Sequence, residues 1–260
     1  MTKIENLKER IGAVGDKLMP AAAKNMLAWL EADFLPDWAL DSLGELFENG
    51  DYEELNDRFF QVIAFGTGGM RGRTIGKKTT SVENGAPDKF GTPSHPAVGT
   101  SNMNAFTVLR ATLGLFKYCK KYCIANGLGK PSLVIAYDVR HFSPYFSKLL
   151  ASAWQRLGGT AQVFDGPRST PQLSFTVRKT KSLSGIVLTA SHNPAHDNGY
   201  KVYFSDGAQI TSPHAEGIVE AVNSTQWHEV KDFLEISQTD IPLVPAKTEE
   251  EYIADRKSVV

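Results

Sequence analysis

The chain has 260 residues, 42% of them hydrophobic, and 28 lysines and arginines against 29 aspartates and glutamates, for a formal net charge of -1. That length and apolar content support a substantial core and exclude a disordered chain. A near-neutral balance gives no global field to draw in nucleic acid or an anionic membrane, so any anion must be held locally.

The opening stretch MTKIENLKERIGAVGDKL lacks the apolar region of a signal peptide, and no stretch is long enough to span a bilayer. A soluble, cytoplasmic protein is expected. Residues 4–62 are mostly helical in pattern, with Trp29, Leu30, Phe34, Trp38, Leu43, Leu46, Phe47, Leu55 and Phe59 in apolar stripes between Pro20, Pro36 and Asn49-Gly50. No titratable cluster there suggests chemistry, so residues 1–62 read as a helical N-terminal extension with a packing or interface role. After the glycine-rich FGTGGMRG (65–72), residues 73–100 have little periodicity and read as a long ordered loop.

Regular alternation then begins with a helix over 104–125, ended by Asn126-Gly127. It contains both cysteines, Cys119 and Cys123. Spaced four apart on one helix face, they make a poor disulfide and an incomplete metal set, and read as buried or free thiols in a reducing compartment. A strand over 133–137 follows, then a helix that Ser143 is expected to cap with Pro144 at its first position, ending at Gly158-Gly159. A strand over 161–164, a short helix over 171–178 and a strand over 185–188 complete the run.

This alternation gives an α/β fold class: a three-layer α/β/α domain with a largely parallel, mixed sheet over residues 63–235. Past Leu188, Ser205-Asp206-Gly207 forms a hairpin turn between 200–204 and 208–210, and a helix starts at Thr211-Ser212-Pro213. Residues 236–260 read as a linker and the truncated start of another domain.

Ligands of open α/β sheets bind beyond the carboxyl ends of the strands. Three polar loops are expected there: Asp138-Val139-Arg140-His141, Gly166 to Pro171, and TASHNP at 189–194. TASHNP admits three readings. It is a solvated turn fixed by Asn193-Pro194, or a serine hydrolase site, although no G-x-S-x-G elbow surrounds Ser191. The third is phosphoryl transfer, which needs a hydroxyl carrier, donors around the phosphate, a cation, and a group to move the sugar proton. Ser191 suits the carrier, His192 and Asn193 the donors, and Lys201 the acid/base. A lysine serves as a base when burial or neighbouring positive charge lowers its pKa, and Arg71 and His192 are candidates for that charge. FGTGGMRG does not satisfy G-x-G-x-x-G; its Thr67 and Gly68 beside Arg71 suit an anion nest instead. Arg140 is the remaining candidate phosphate-binding residue.

Three motifs in order, FGTGGMRG (65–72), TASHNP (189–194) and DNGYKVYFSDGAQI (197–210), resemble those of the α-D-phosphohexomutases, the phosphoglucomutases and phosphomannomutases. The resemblance implies domain 1 of a four-domain enzyme whose phosphoserine, here Ser191, also gives one phosphate oxygen to Mg²⁺. A sugar bisphosphate intermediate turns over, and the net result is a 1-to-6 phosphate shift, with glucose phosphate the first choice of substrate. By the same matching, Arg71 is similar to the active-site arginine of the first loop, Lys201 to the general acid/base, and His192 and Asn193 to neighbours that orient the phosphoryl group.

The family's Asp-x-Asp-x-Asp metal loop, its sugar loop and its phosphate-anchoring loop are absent from these 260 residues. The isolated chain is therefore expected to show no turnover and to rely on the remaining domains of a parent enzyme. Asn102 stands where relatives often carry an arginine. The helical extension is similar to that of longer phosphoglucomutases that also handle phosphomannose or phosphopentose, so those specificities stay open, as does a homo-oligomer. The rival class is a non-catalytic phosphate-binding or oligomerisation module that keeps the loop without the chemistry.

Overall fold

A computed structural model describes residues 1–236 and 240–257. Four helices come first: α1 (Lys3–Ala13), α2 (Pro20–Glu31), α3 (Asp37–Glu48) and α4 (Tyr52–Phe59). Thr2 opens α1 with a reciprocal capping box to Glu5, satisfying two otherwise unpaired backbone donors. Each helix buries an apolar stripe. Their shared centre is Trp29, fully buried and packed edge-on against Phe34, Phe59, Phe106 and Trp227 at centroid separations of 5.1–5.6 Å. Phe106 and Trp227 lie outside the extension, so residues 1–62 share one hydrophobic core with the α/β domain.

The sheet has five strands: β1 (Gly69–Arg73), β2 (Ser132–Tyr137), β3 (Thr160–Val163), β4 (Ser184–Leu188) and β5 (Asp197–Phe204). Their order is β1-β5-β4-β2-β3. The three strands joined by helices, β3, β2 and β4, are parallel, while β5 turns back antiparallel to β4 and pairs with an antiparallel β1. β1 lies inside and just past the glycine-rich motif, where a strand was not expected. Its composition, GMRGR, hides it: two glycines and two arginines carry no apolar alternation, and pairing with β5 decides the conformation.

Helices α6 (Ala105–Ala125), α7 (Ser143–Arg156) and α9 (His214–Ser224) cover one face, where they meet Leu133, Ile135, Ile186, Tyr200 and Val202. Helix α8 (Thr170–Lys179) covers the other, over Val134, Ala136, Val187 and Tyr203. The layers are thus α/β/α around a mixed sheet. Two expectations change in detail. Ser143 is the first residue of α7 rather than its cap; the cap position is Phe142, in the left-handed region at φ 65°. The segment 73–100 contains the single helical turn α5 (Ser81–Asn84), capped by Thr80 and Glu83.

That turn belongs to a buried ionic cluster joining the extension to the loop. Arg58, 1% exposed, bonds to Glu54 one helical turn back and to both oxygens of Glu83, which also accepts from Ser42 and the Val98 amide. Burial alone would raise the Glu83 pKa, but the Arg58 guanidinium and these hydrogen bonds outweigh it and hold the carboxyl below its usual value. Further along, Thr92 Oγ1 hydrogen-bonds His141 Nδ1 in the loop after β2. The segment is an ordered bridge from the N-terminal helices to the sheet edge.

Past Ile236, residues 242–244 run alongside β3, with the Val163 amide donating to Pro242 and the Val244 amide to Val163. Helix α10 (Ala246–Lys257) then packs on α8 through Phe175–Tyr252 ring contact and the Lys179–Glu251 pair. Within the expected linker and helix start (236–260), residues 242–257 are therefore docked on the α/β domain, while 237–239 and 258–260 lie outside the described residues. Cys119 and Cys123 are buried free thiols, and burial pushes both above the usual thiol range. Among the described residues no helix is long and apolar enough to cross a membrane.

Candidate active site

The three expected loops leave the same ends of the parallel strands β2, β3 and β4. Two of them interlock. Arg140, after β2, directs Nη1 at the carbonyls of Pro194 and Asp197 (2.8 and 2.9 Å) and Nη2 at those of Ser191 and Asn193 (2.8 and 2.7 Å). Its Nε lies 3.4 Å from Asp138 Oδ2. The guanidinium expected to bind phosphate is thus occupied by the backbone of the TASHNP loop. The arginine of the third loop is committed to other partners: Arg168 pairs with Asp165 and with Glu249 of α10.

Ser191 sits at the exit of β4, exposed, with φ 57°. A left-handed backbone on a residue other than glycine costs on the order of 1–3 kcal/mol and persists only where its surroundings enforce it. Here the Ser191 amide donates to Thr189 Oγ1 and its carbonyl accepts from Arg140. His192 is exposed on the same turn. Asn193 turns inward: its Oδ1 accepts from Arg71 Nη1 at 2.8 Å, and its Nδ2 donates to Asp197 Oδ2 at 2.9 Å.

That bond brings Arg71 of β1 to the serine loop across 122 positions of sequence. The ladder explains how. Gly69 pairs with Lys201 and Arg71 with Gly199, so both basic side chains stand on one face of the β1–β5 pair, each opposite a glycine. Neither glycine tolerates a Cβ, which would stand 1.8 Å from the Tyr200 carbonyl oxygen at Gly69 and 2.2 Å from that of Thr189 at Gly199. Thr67 and Gly68 form the centre of a tight turn closed by reciprocal Gly66–Gly69 backbone bonds. With Arg71, Lys201 and Gln209 they line a shallow cavity of about 360 Å³.

Several residues here were not singled out from the sequence. Gln209 donates to the Gly68 carbonyl from the far side of the hairpin. Arg73 contacts His196 Nε2 at 3.1 Å, and that nitrogen lies 3.5 Å from Asp197 Oδ1. Asn198, fully buried, donates to Ser143 Oγ and the His141 carbonyl and accepts from the Gly199 amide, tying β5 to the start of α7. All but Arg73 fall within DNGYKVYFSDGAQI or beside it, so the motif itself was the available signal; Arg73 could be found only through the unexpected β1. Asn102 is buried before α6, its carbonyl accepting from Thr107 Oγ1.

Among the described residues no three His, Cys, Asp or Glu side chains gather as a metal site. Of the carboxylates flanking the serine loop, Asp138 pairs with Arg140 and Asp197 accepts from Asn193. The described residues do not by themselves fit Mg²⁺. What the edge offers is an exposed hydroxyl on a hydrogen-bonded turn, with Arg71 bound to that turn and Lys201 lining the same cavity as Arg71.

An α/β/α domain with a hydroxyl-bearing loop and two cations at its strand ends is a class that comparison with known proteins resolves further. Residues 87–229 match the family described as phosphoglucomutase/phosphomannomutase, alpha/beta/alpha domain I. A phosphoglucomutase of Staphylococcus aureus (strain bovine RF122 / ET3-1) is 34% identical over 226 residues, 86% of this chain and 35% of that protein. That of strain USA300 is 34% identical over 227 residues with the same coverage. A crystal structure from Thermus thermophilus, named as a phosphomannomutase, shares the fold with a TM-score of 0.55 at 22% identity, covering 77% of this chain and 36% of that one. The chain belongs to the phosphoglucomutase/phosphomannomutase family and spans about a third of the length of the relatives it matches.

Proposed function

We propose that this chain is the phosphoserine-bearing part of a phosphohexomutase, an intramolecular phosphotransferase that interconverts hexose 1-phosphate and hexose 6-phosphate. Glucose phosphate is the first choice of substrate, since the S. aureus relatives are named phosphoglucomutases. One observation carries the reading: Ser191 is exposed in a strained, braced conformation, on a loop bonded to Arg71, in a family of phosphosugar mutases.

In this reading Ser191 carries the phosphoryl group, a dianion at neutral pH that Arg71, Lys201 and His192 complement in charge or hydrogen bonding. Asn193 holds Arg71 in place. Transfer breaks the Ser191 Oγ–P bond and forms a P–O bond to a sugar hydroxyl. Lys201, acting as the neutral amine, takes the hydroxyl proton and relays it to Ser191 Oγ, which ends as a neutral hydroxyl. The return step breaks the other P–O bond of the sugar bisphosphate and forms Oγ–P again, the Ser191 hydroxyl proton passing through Lys201 to the sugar oxygen left behind. Thr67 and Gly68 line the cavity beside Lys201 and suit the incoming sugar phosphate. In this proposal a phosphate oxygen on Ser191 would be a ligand of Mg²⁺, with the other ligands expected from the family's metal loop, and the ion would neutralise charge on the transferring group.

Intact-mass measurement tests the reading. After incubation with a hexose bisphosphate the chain gains one phosphate, and Ser191→Ala does not. Uptake by neither protein would favour a non-catalytic module, and labelling of Ser191 by an acylating probe would favour a hydrolase. The 260-residue chain alone is expected to show no mutase turnover.

A further inference from the structure

We propose that Arg140 is a positioning residue that sets the aim of Ser191, rather than a ligand for phosphate. This rests on Ser191 being the phosphate carrier. Four charge-assisted hydrogen bonds leave one guanidinium for the carbonyls of Ser191, Asn193, Pro194 and Asp197. These carbonyls cover the whole turn from β4 to β5, and the first belongs to the residue at φ 57°.

The side chain that does this is itself fixed from behind. The Arg140 amide donates to Asp138 Oδ1 at 3.0 Å, and Ser143 Oγ lies 3.3 Å from the same oxygen. Asn198 binds Ser143 Oγ and the His141 carbonyl, closing the frame from β5. With 10% side-chain exposure, Arg140 is sealed beneath the loop while Ser191 stands exposed above it. A planar fork can meet four carbonyls at once; a lysine ammonium, with three donors on a flexible stem, cannot. The arrangement braces the loop backbone without Lys201, and Arg71 meets the loop through the Asn193 side chain. Small misplacements of a reacting group slow a transfer by up to roughly a hundredfold.

The test compares wild type, Arg140→Lys and Arg140→Ala. The readouts are the rate of phosphate uptake from a hexose bisphosphate by intact mass, amide hydrogen exchange across 189–197, and thermal unfolding. Both variants should take up phosphate at least about tenfold more slowly and exchange faster in that loop, while α6 and β2 exchange as in wild type. Added guanidinium ion should restore part of the rate to Arg140→Ala, which a general loss of stability would not permit. Wild-type uptake rates in Arg140→Lys, or exchange that rises equally everywhere, would overturn the proposal. Should Arg140→Ala not fold, Arg140→Lys decides alone on the same readouts. Wild type that takes up no phosphate would remove the carrier reading and with it the aim ascribed to Arg140, whereas a phosphorylated wild type with unaffected variants would remove only the role of Arg140.

Discussion

Lys201 stands directly across the β1–β5 ladder from Gly69, and the missing side chain of that glycine is what lets the strands close. The backbone at Gly69 has φ 138°, and an added Cβ would lie 1.8 Å from the Tyr200 carbonyl oxygen. Gly69→Ala should therefore push β1 off β5 and carry Arg71 away from Asn193. A loss of roughly 2–4 kcal/mol in urea unfolding is expected, well beyond an ordinary surface change. Phosphate uptake at Ser191 should fall with it, and a variant that unfolds like wild type would contradict this account of the strand pair.

Ser191→Gly separates strain from chemistry. Glycine adopts φ 57° freely, so relief of the left-handed backbone should offset its extra chain entropy, leaving stability within about 1 kcal/mol of wild type or above it. Phosphate uptake should vanish. A clear loss of stability in thermal unfolding would show that the serine hydroxyl supports the loop.

Arg58→Met leaves Glu54 and Glu83 buried without their cation, and an uncompensated buried charge of this kind costs about 3–5 kcal/mol. Urea midpoints at neutral pH measure it. Loss of less than about 1 kcal/mol would mean that the cluster adds little beyond packing.

The same cluster sets an acid limit. Glu83 has a folded-state pKa below its ordinary value of 4.5, so it binds a proton more readily when unfolded. Its contribution is complete above about pH 4.5 and drains away as the pH falls through the lower folded value. Stability measured from neutral pH downward should hold until that window and then decline, and Glu83→Gln should flatten the decline. An unchanged slope in that variant would assign acid sensitivity to other carboxylates.

Unphosphorylated chain should bind Mg²⁺ no better than millimolar, because the carboxylates flanking its serine loop are already paired. Calorimetry with Mg²⁺, and melting with and without a chelator, check this. Tight stoichiometric binding would reveal a metal site that these side chains do not suggest.

The sequence announced the parallel core readily, since LVIAY and SGIVL are short apolar runs bounded by helix caps and glycines. It marked the serine loop as a polar exit from such a run, but a solvated turn fixed by Asn193-Pro194 reads the same way until the accompanying motifs are weighed. It did not announce β1, whose glycines serve close backbone approach rather than burial, nor the role of Arg140, which depends on where four carbonyls fall after folding. Arg58 was equally hidden. One arginine in YEELNDRF looks like a solvated helix face until Glu83, 25 positions on, folds over it. Pairings of that range leave no local signature.

Trp29 touches Phe106 and Trp227 as closely as it touches its own neighbours in the N-terminal helices. The first 62 residues therefore cannot be trimmed as a dispensable arm: removing them would open an aromatic cavity at the start of α6 and cut Arg58 from Glu83. Serine loop and helical extension should melt together, in a single cooperative step, and any shortened version of this domain must begin before Trp29.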